Sequence, residues 1–150
     1  MKTPIRILGI AGSLRRGSYN RAALRAATEL APKGAILETF ELDGIPPFNQ
    51  DEEQNPPAKV TELKRRIREA DAILFVTPEY NYSVSGVLKN AIDWASRPYG
   101  DSAWNGKPRG DHGRFAGSHG HRARAISSPA DARFLKHVPD QSTRSDDRPG

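Results

Sequence analysis

Apolar and polar residues follow two repeating patterns along the first hundred residues of the chain. Short apolar runs of strand length occupy residues 5–10, 35–42 and 72–77. Apolar positions at the three- to four-residue spacing of amphipathic helices occupy residues 19–30, 58–70 and 87–94. Strands that alternate with helices favour a parallel sheet with right-handed crossovers. We therefore predict an α/β fold.

A turn rich in glycine and serine joins the first strand to the first helix, with the sequence GSLRRGSYN over residues 12–20. A helix N-terminus attracts anions through its unpaired N–H groups and its dipole. Gly12 lets the backbone come close to a bound group. Hydrogen-bond donors come from the side chains of Ser13, Arg15, Ser18 and Asn20. This turn therefore predicts a binding site for a terminal phosphate. The alternative is an ordinary turn in which Ser18 only caps the helix.

A second polar segment, TPEYNYSVSG over residues 77–86, follows the third apolar run. In an open α/β sheet, ligands bind at the carboxyl ends of the strands, so this segment is predicted to face the phosphate turn. Its tyrosines, amide and hydroxyls can stack on a planar ring and bond its edge. The alternative is a loop whose tyrosines only cover the end of the sheet.

Composition excludes several classes of function. The 150 residues contain no cysteine, which rules out disulfides, thiolate catalysis and Cys-type zinc sites. No apolar run approaches the ~18 residues of a membrane helix, and residues 1–4 lead into a strand without a signal peptide. A cytoplasmic protein with no membrane partner is therefore expected.

The net charge of +5 is spread unevenly along the chain. Residues 1–105 hold 14 basic and 13 acidic residues, whereas residues 106–150 hold 9 and 5. The basic cluster of the helix at 58–70 is interpreted as a solvated face rather than a nucleic-acid site. Binding of nucleic acid is therefore not expected.

Three segments together resemble the NAD(P)H-dependent FMN reductases, a flavodoxin-like family that includes quinone, azo and chromate reductases. The resemblance covers about residues 3–108 and rests on GSLRRGSYN (12–20), PEYNYS (78–83) and GVLKNAIDW (86–94). It implies a flavodoxin-like three-layer parallel sheet. It also implies FMN as cofactor, NADPH or NADH as co-substrate and a small-molecule electron acceptor. No catalytic acid or base and no metal are expected, because the cofactor carries the chemistry.

The resemblance also implies which residues hold the cofactor. The FMN phosphate would be held by Ser13, Arg15, Ser18 and Asn20, and the ribityl chain and isoalloxazine ring would be bordered by Pro78, Glu79, Tyr80, Asn81 and Ser83. In such proteins the helix at residues 88–94 commonly contributes to a homodimer or homotetramer interface. Ser85 stands where the family usually has proline, so a looser helix entry is expected there.

The pattern changes near residue 108. Residues 109–125 mix arginine, glycine, histidine and serine with no period, which predicts no buried strand. Permitted codons for this segment, shifted by one base, read VAIMGASPGHMGT, an apolar strand and a glycine-rich turn. We therefore predict a flavodoxin-like domain at 1–108 that ends after its third strand. A frameshift would begin the non-homologous, largely disordered tail at 109–150.

Two functions remain open on the sequence. The first is an FMN-dependent NAD(P)H oxidoreductase, which the loss of the C-terminal strands would weaken or inactivate. The alternative is a non-catalytic flavodoxin-like module whose basic tail binds polyanions or a partner. The tail histidines His112, His119 and His121 lack a carboxylate shell, so no metal site is predicted from them.

Overall fold

The computed structural model describes residues 3–107 and 109–113. The main strands are β1 (Ile5–Ala11), β2 (Ala35–Phe40) and β3 (Ala72–Thr77), and the helices are α1 (Tyr19–Glu29), α2 (Ala58–Glu69) and α3 (Gly86–Ala95). A short hairpin, β4 (Glu79–Tyr80) and β5 (Ser83–Val84), lies between β3 and α3, and β6 (Arg109–Gly113) follows α3. A 3-10 turn occupies Gln50–Glu52. The predicted strands and helices are confirmed to within about two residues at each end.

The main sheet is parallel, with the strand order β2-β1-β3-β6. In the centre, Ile7 of β1 pairs with Leu37 of β2 on one side and with Ala72 of β3 on the other. Each crossover between parallel strands contains a helix, as the alternating pattern predicts. The predicted parallel α/β sheet is therefore confirmed.

The prediction that the sheet ends after its third strand is wrong. Residues Arg109–Gly113 form β6, which pairs in parallel with β3 from Ile73↔Arg109 to Thr77↔Gly113. The prediction rested on side chains that show no alternation. A β-ladder is made by backbone N–H and C=O groups, which each residue of this segment carries. The rest of the predicted tail, residues 114–150, lies outside the described residues, and its disorder stays a prediction.

Side chains of the strands alternate between two helical layers. On one face, Leu8, Ile10 and Phe75 belong to a buried cluster that includes residues of α2 and α3. On the other face, Val76 belongs to a smaller cluster around Leu24 of α1. Helices therefore cover both faces, and the predicted three-layer arrangement is confirmed.

Gly9 of β1 allows α1 to lie close to the sheet. A Cβ placed on Gly9 would lie 2.6 Å from Leu24 Cδ1 and 3.3 Å from Leu37 Cδ2. Leu24 is buried and packs into the space that a larger residue at position 9 would fill. The small residue in this strand therefore determines how closely the first helix approaches the sheet.

The long loop between β2 and α2 is anchored to α3. The carbonyl oxygen of Pro46 accepts hydrogen bonds from Asn90 Nδ2 and Trp94 Nε1, both at 2.8 Å. Phe48 N donates to Asn90 Oδ1 at 2.8 Å, and the Phe48 ring meets Trp94 edge-on with centroids 5.0 Å apart. These contacts fix the loop although it contains little regular structure.

Charged side chains bind the segment after α3 to α2. Asp101 accepts from Lys64 Nζ at 3.3 Å and from Arg68 Nη2 at 2.8 Å. Lys107 Nζ donates to the carbonyl oxygens of Arg68 and Ala70, at 2.8 and 2.6 Å. The latter two bonds satisfy carbonyls at the C-terminal end of α2, which the helix itself leaves unpaired.

Candidate functional site

Both predicted ligand loops begin at the carboxyl ends of adjacent strands. Ala11 of β1 pairs with Val76 of β3, and Gly12 N donates to Val76 O at 2.9 Å. The phosphate turn (residues 12–20) and the hairpin of β4 and β5 therefore start side by side. This edge is where open α/β sheets bind ligands.

Ser18 is the N-cap of α1. Its backbone is extended, and its Oγ accepts a hydrogen bond from Arg21 N at 3.4 Å. The capping role that the sequence left as the alternative is thus confirmed. Capping uses an acceptor site of the hydroxyl, so its proton can still be donated to an anion at the helix N-terminus. The two roles of Ser18 are compatible.

Asn20 is buried without a described hydrogen-bond partner for its carbonyl oxygen. The residue is 5% exposed, and Oδ1 meets no donor among the described residues. A buried polar atom without a partner is costly, and a bound ligand that supplied a partner would relieve that cost. A half-turn of the amide would exchange its O and N ends and present an N–H donor to an anion. Asn20 therefore fits the predicted phosphate site.

Arg15 lies across its own turn. Its Nη2 donates to the carbonyl oxygen of Gly17 at 3.0 Å, and Ser18 N donates to the carbonyl oxygen of Arg15 at 3.1 Å. The side chain is exposed, and this bond occupies only part of the guanidinium fork. Ser13 is half-buried at the start of the same turn. A cation is thus held close to the N-terminus of α1.

The second loop is a hairpin rather than an irregular segment. Glu79 pairs with Val84 and Tyr80 pairs with Ser83, so Asn81 and Tyr82 form a two-residue turn. Both turn residues have positive φ, 51° and 62°, as a type I′ turn requires. Asparagine tolerates this conformation, whereas an aromatic residue is strained in it.

Exposure differs along the hairpin. Pro78 is buried and Glu79 is half-buried, whereas Tyr80 is 61% exposed and Tyr82 is 99% exposed. Ser83 is also exposed. The structure therefore buries the base of the hairpin and leaves polar and aromatic groups accessible for a ligand.

Two residues outside the predicted set join the loops at their base. A Cβ placed on Gly12 would lie 2.7 Å from Thr77 Cβ, closer still to Thr77 Oγ1, and 2.9 Å from Ser85 Oγ. The lack of a side chain at Gly12 is thus required by these two neighbours, independently of any ligand. The sequence signal was a polar Thr77 that ends an otherwise apolar strand.

Ser85 supports the entry of α3. The sequence predicts a looser entry at this position, but Ser85 Oγ accepts from Leu88 N at 3.3 Å and is the N-cap of the helix. Ser85 is only 1% exposed. The hydroxyl therefore satisfies a helix N–H group at this entry, and an entry looser than one with proline stays a prediction.

The basic residues of α2 are paired with acidic residues. The pairs are Lys59–Glu62, Lys64–Asp101, Arg65–Glu69, Arg66–Glu38 and Arg68–Asp101. Their charges are thus largely compensated within the chain. This pairing supports the interpretation of α2 as a solvated face rather than a nucleic-acid site.

Residues 3–107 and 109–113 contain neither a membrane-spanning helix nor a metal-binding cluster. No helix in this part combines the length and the apolar character needed to cross a membrane. It also holds no group of three or more His, Cys, Asp or Glu residues placed to bind a metal. His112 lies in β6, and His119 and His121 lie outside the described residues.

The model of one protein family, NADPH-dependent FMN reductase, matches residues 5–128. The chain belongs to the NADPH-dependent FMN reductase family. Members of this family use FMN, with NAD(P)H as the electron donor. The family match continues beyond the predicted domain boundary at residue 108, and that boundary stays a prediction.

Individual relatives agree with the family assignment. An NAD(P)H-dependent FMN reductase of Pseudomonas aeruginosa is 52% identical over 122 residues, which are 80% of this chain and 65% of that protein. A quinone reductase of Pseudomonas putida is 54% identical over 100 residues, which are 66% of this chain and 54% of that protein.

A solved structure of the flavoenzyme NAD(P)H:(acceptor) oxidoreductase from Paracoccus denitrificans has a TM-score of 0.68 and 39% identity. The likeness covers 73% of this chain and 60% of that one. The flavodoxin-like fold predicted for this family member is confirmed. The chain spans between 54% and 65% of the length of these three relatives.

Proposed function

We propose that this chain is the FMN-binding part of an NAD(P)H-dependent oxidoreductase that reduces a small-molecule acceptor of the quinone type. One observation carries the proposal. A capped helix N-terminus with the buried, unpartnered Asn20 Oδ1 lies beside an exposed aromatic hairpin, at the ends of two adjacent parallel strands. The quinone reductase from P. putida, 54% identical, supports the acceptor class.

The phosphate turn fits the phosphate group of FMN. Donors come from Ser13, Ser18, Asn20 and Arg15, and α1 adds the positive end of its dipole. With its amide turned over, Asn20 would donate an N–H to the anion from the position of Oδ1, which meets no donor among the described residues. Arg15 would add a charge-assisted hydrogen bond, which is stronger than a neutral one.

The hairpin fits the ring end of the cofactor. The residues proposed to border the ribityl chain and the isoalloxazine ring are Pro78, Glu79, Tyr80, Asn81 and Ser83. When bound, FMN supplies the chemistry, by accepting a hydride from NADPH or NADH and passing electrons to the acceptor. The protein residues bind and orient the reactants, so we nominate no catalytic acid or base.

We further propose that the protein forms a homodimer or homotetramer through α3 (residues 88–94) and is cytoplasmic. Within α3, Leu88 and Trp94 are buried in the core of the chain itself. A contact between copies would therefore use the half-buried Lys89 and Asp93, which pair at 2.6 Å. Size-exclusion chromatography with light scattering measures the oligomeric state, and a strictly monomeric protein would contradict the proposed assembly.

The frameshift beyond residue 108 also stays our proposal. It is supported by the aperiodic composition of residues 109–125 and by the strand-like sequence that the neighbouring frame permits. Sequencing the gene and its transcript tests it, because an absence of the uninterrupted frame from the DNA would refute it. The alternative function, a non-catalytic module with a polyanion-binding tail, depends largely on residues 114–150, outside the described part.

The visible absorption spectrum of the full chain tests the proposed function. The protein is supplied with FMN, desalted, and scanned before and after NADPH is added without oxygen. We expect a retained flavin band that bleaches on reduction. An Asn20→Ala variant should retain less FMN, whereas the exposed Asn105→Ala control should match the unaltered chain. A folded protein that leaves the column colourless would contradict the proposal.

A further inference from the structure

The phosphate turn, the hairpin and α3 begin at one buried point. Gly12, the first residue of the turn, has no side chain, and Thr77 and Ser85 occupy the space beside it. Thr77 is 3% exposed and Ser85 is 1% exposed. We call these three residues the hydroxyl junction. Its two side chains are buried and hydrogen-bonded within the protein, and neither residue is among the proposed flavin contacts.

Hydrogen bonds connect the hydroxyl junction to both neighbouring elements. Thr77 Oγ1 lies 3.4 Å from Ser85 Oγ and donates to the carbonyl oxygen of Pro78 at 3.2 Å. Ser85 Oγ accepts from Leu88 N at 3.3 Å. The junction therefore fixes the base of the hairpin against the start of α3, with the start of the phosphate turn packed onto both.

We propose that Thr77 and Ser85 are positioning residues that set the distance between the phosphate turn and the hairpin. This inference rests on the proposed function. A ligand held at both ends gains affinity only when the two subsites are spaced to match it. At the junction, Gly12 of the phosphate turn packs against the buried side chains of Thr77 and Ser85, which flank the hairpin, so a shift there changes that spacing.

If Thr77 and Ser85 only stabilised the fold, their replacement would change the affinities for different flavins equally. A residue that only stabilises the fold affects every ligand of the folded state alike. A residue that sets the spacing of two subsites affects FMN, which occupies both, more than riboflavin, which lacks the phosphate. The ratio of the affinities for FMN and riboflavin therefore separates the two roles.

The experiment measures dissociation constants of the full chain for FMN and for riboflavin by quenching of flavin fluorescence. Thr77→Val keeps the shape of the side chain and removes the hydroxyl, whereas Thr77→Ser keeps the hydroxyl. Ser85→Ala removes the second hydroxyl. Thr61→Val removes an exposed hydroxyl from α2 and serves as the matched control. The melting temperature of each variant is recorded in parallel.

We expect Thr77→Val and Ser85→Ala each to lower the FMN-to-riboflavin affinity ratio about fivefold, because a shifted phosphate turn would weaken about one hydrogen bond to the phosphate. Thr77→Ser and Thr61→Val should preserve the ratio. Unchanged ratios, or equal losses for both flavins, in folded variants would overturn the inference while the proposed function stands. If Thr77→Val does not fold, Ser85→Ala decides. Failure of the unaltered chain to bind FMN would overturn both the proposed function and this inference.

Discussion

Replacement of Gly12 by alanine measures how closely the two loops are packed. The added Cβ would lie 2.7 Å from Thr77 Cβ and 2.9 Å from Ser85 Oγ. Thr77 Cβ is attached to the backbone of β3 and cannot rotate away, and neither residue has solvent beside it into which it could move. The end of β1, the end of β3 or the start of α3 must therefore shift.

The cost follows from two contributions. Overpacking of a buried site destabilises proteins by about 1–3 kcal/mol. The shift would also disturb the contact between the hydroxyls of Thr77 and Ser85, and a buried hydrogen bond contributes about 1 kcal/mol. We expect Gly12→Ala to lower the free energy of unfolding by about 2–4 kcal/mol, a large part of the ~5–15 kcal/mol typical of a domain.

The same turn provides the control. A Cβ placed on Gly17 would have Arg15 Nη2 as its nearest neighbour, at 3.6 Å, which is an ordinary contact. Gly17→Ala should therefore change the free energy of unfolding by less than about 0.5 kcal/mol. Urea denaturation followed through the fluorescence of the buried Trp94 and Trp104 measures both variants. Equal stability of the two variants would refute the packing argument.

Three further predictions concern other parts of the chain. Lys107→Met leaves two carbonyls at the end of α2 without their donor, and urea denaturation should show a loss of about 1 kcal/mol; no loss would contradict this capping role. Tyr82→Gly relieves the left-handed backbone of the hairpin turn and should raise stability by about 1 kcal/mol, visible as a higher melting temperature; a lower one would contradict the strain. Burial acts to raise the pKa of Asp101, but the hydrogen bonds and charges of Lys64 and Arg68 outweigh it and hold the pKa below its ordinary value. The stabilisation by Asp101 is therefore present above about pH 4 and lost as the pH falls further. The difference in unfolding free energy between the unaltered chain and Asp101→Asn should shrink on acidification. A difference that stays constant with pH would contradict this role of Asp101.

Local pattern was sufficient to predict most of the fold. In α2, Val60, Leu63 and Ile67 recur at helical spacing and all three are buried, Leu63 and Ile67 in the cluster that covers one face of the sheet. In β3, a continuous apolar run matches a strand covered on both faces, and Ile73 and Val76 indeed face opposite helical layers. These elements could be predicted because the spacing of their apolar residues matches the positions that the fold buries.

The missed features depend on contacts between distant segments or on the backbone. β6 has no apolar period, and only its pairing with β3 identifies it as a strand. The hairpin turn places Tyr82, an unfavourable residue, at positive φ. The contact of Gly12 with Thr77 and Ser85 joins residues more than sixty positions apart. Periodicity contains no information about any of these.

The strand order places the candidate site at the ends of β1 and β3, whereas β6 flanks β3 on its other edge. The order β2-β1-β3 places the ends of β1 and β3 side by side, so the phosphate turn and the hairpin start next to each other. β6 pairs with the other edge of β3 and ends beside Thr77. A change in the segment after residue 108 therefore leaves the proposed flavin contacts in the sequence and acts on β3 through its pairing with β6. Because FMN would bind only the folded state, it would stabilise the fold in addition to that pairing, by about 2.7 kcal/mol at a hundredfold excess over its dissociation constant. The cofactor and the C-terminal segment thus act on the same folding equilibrium.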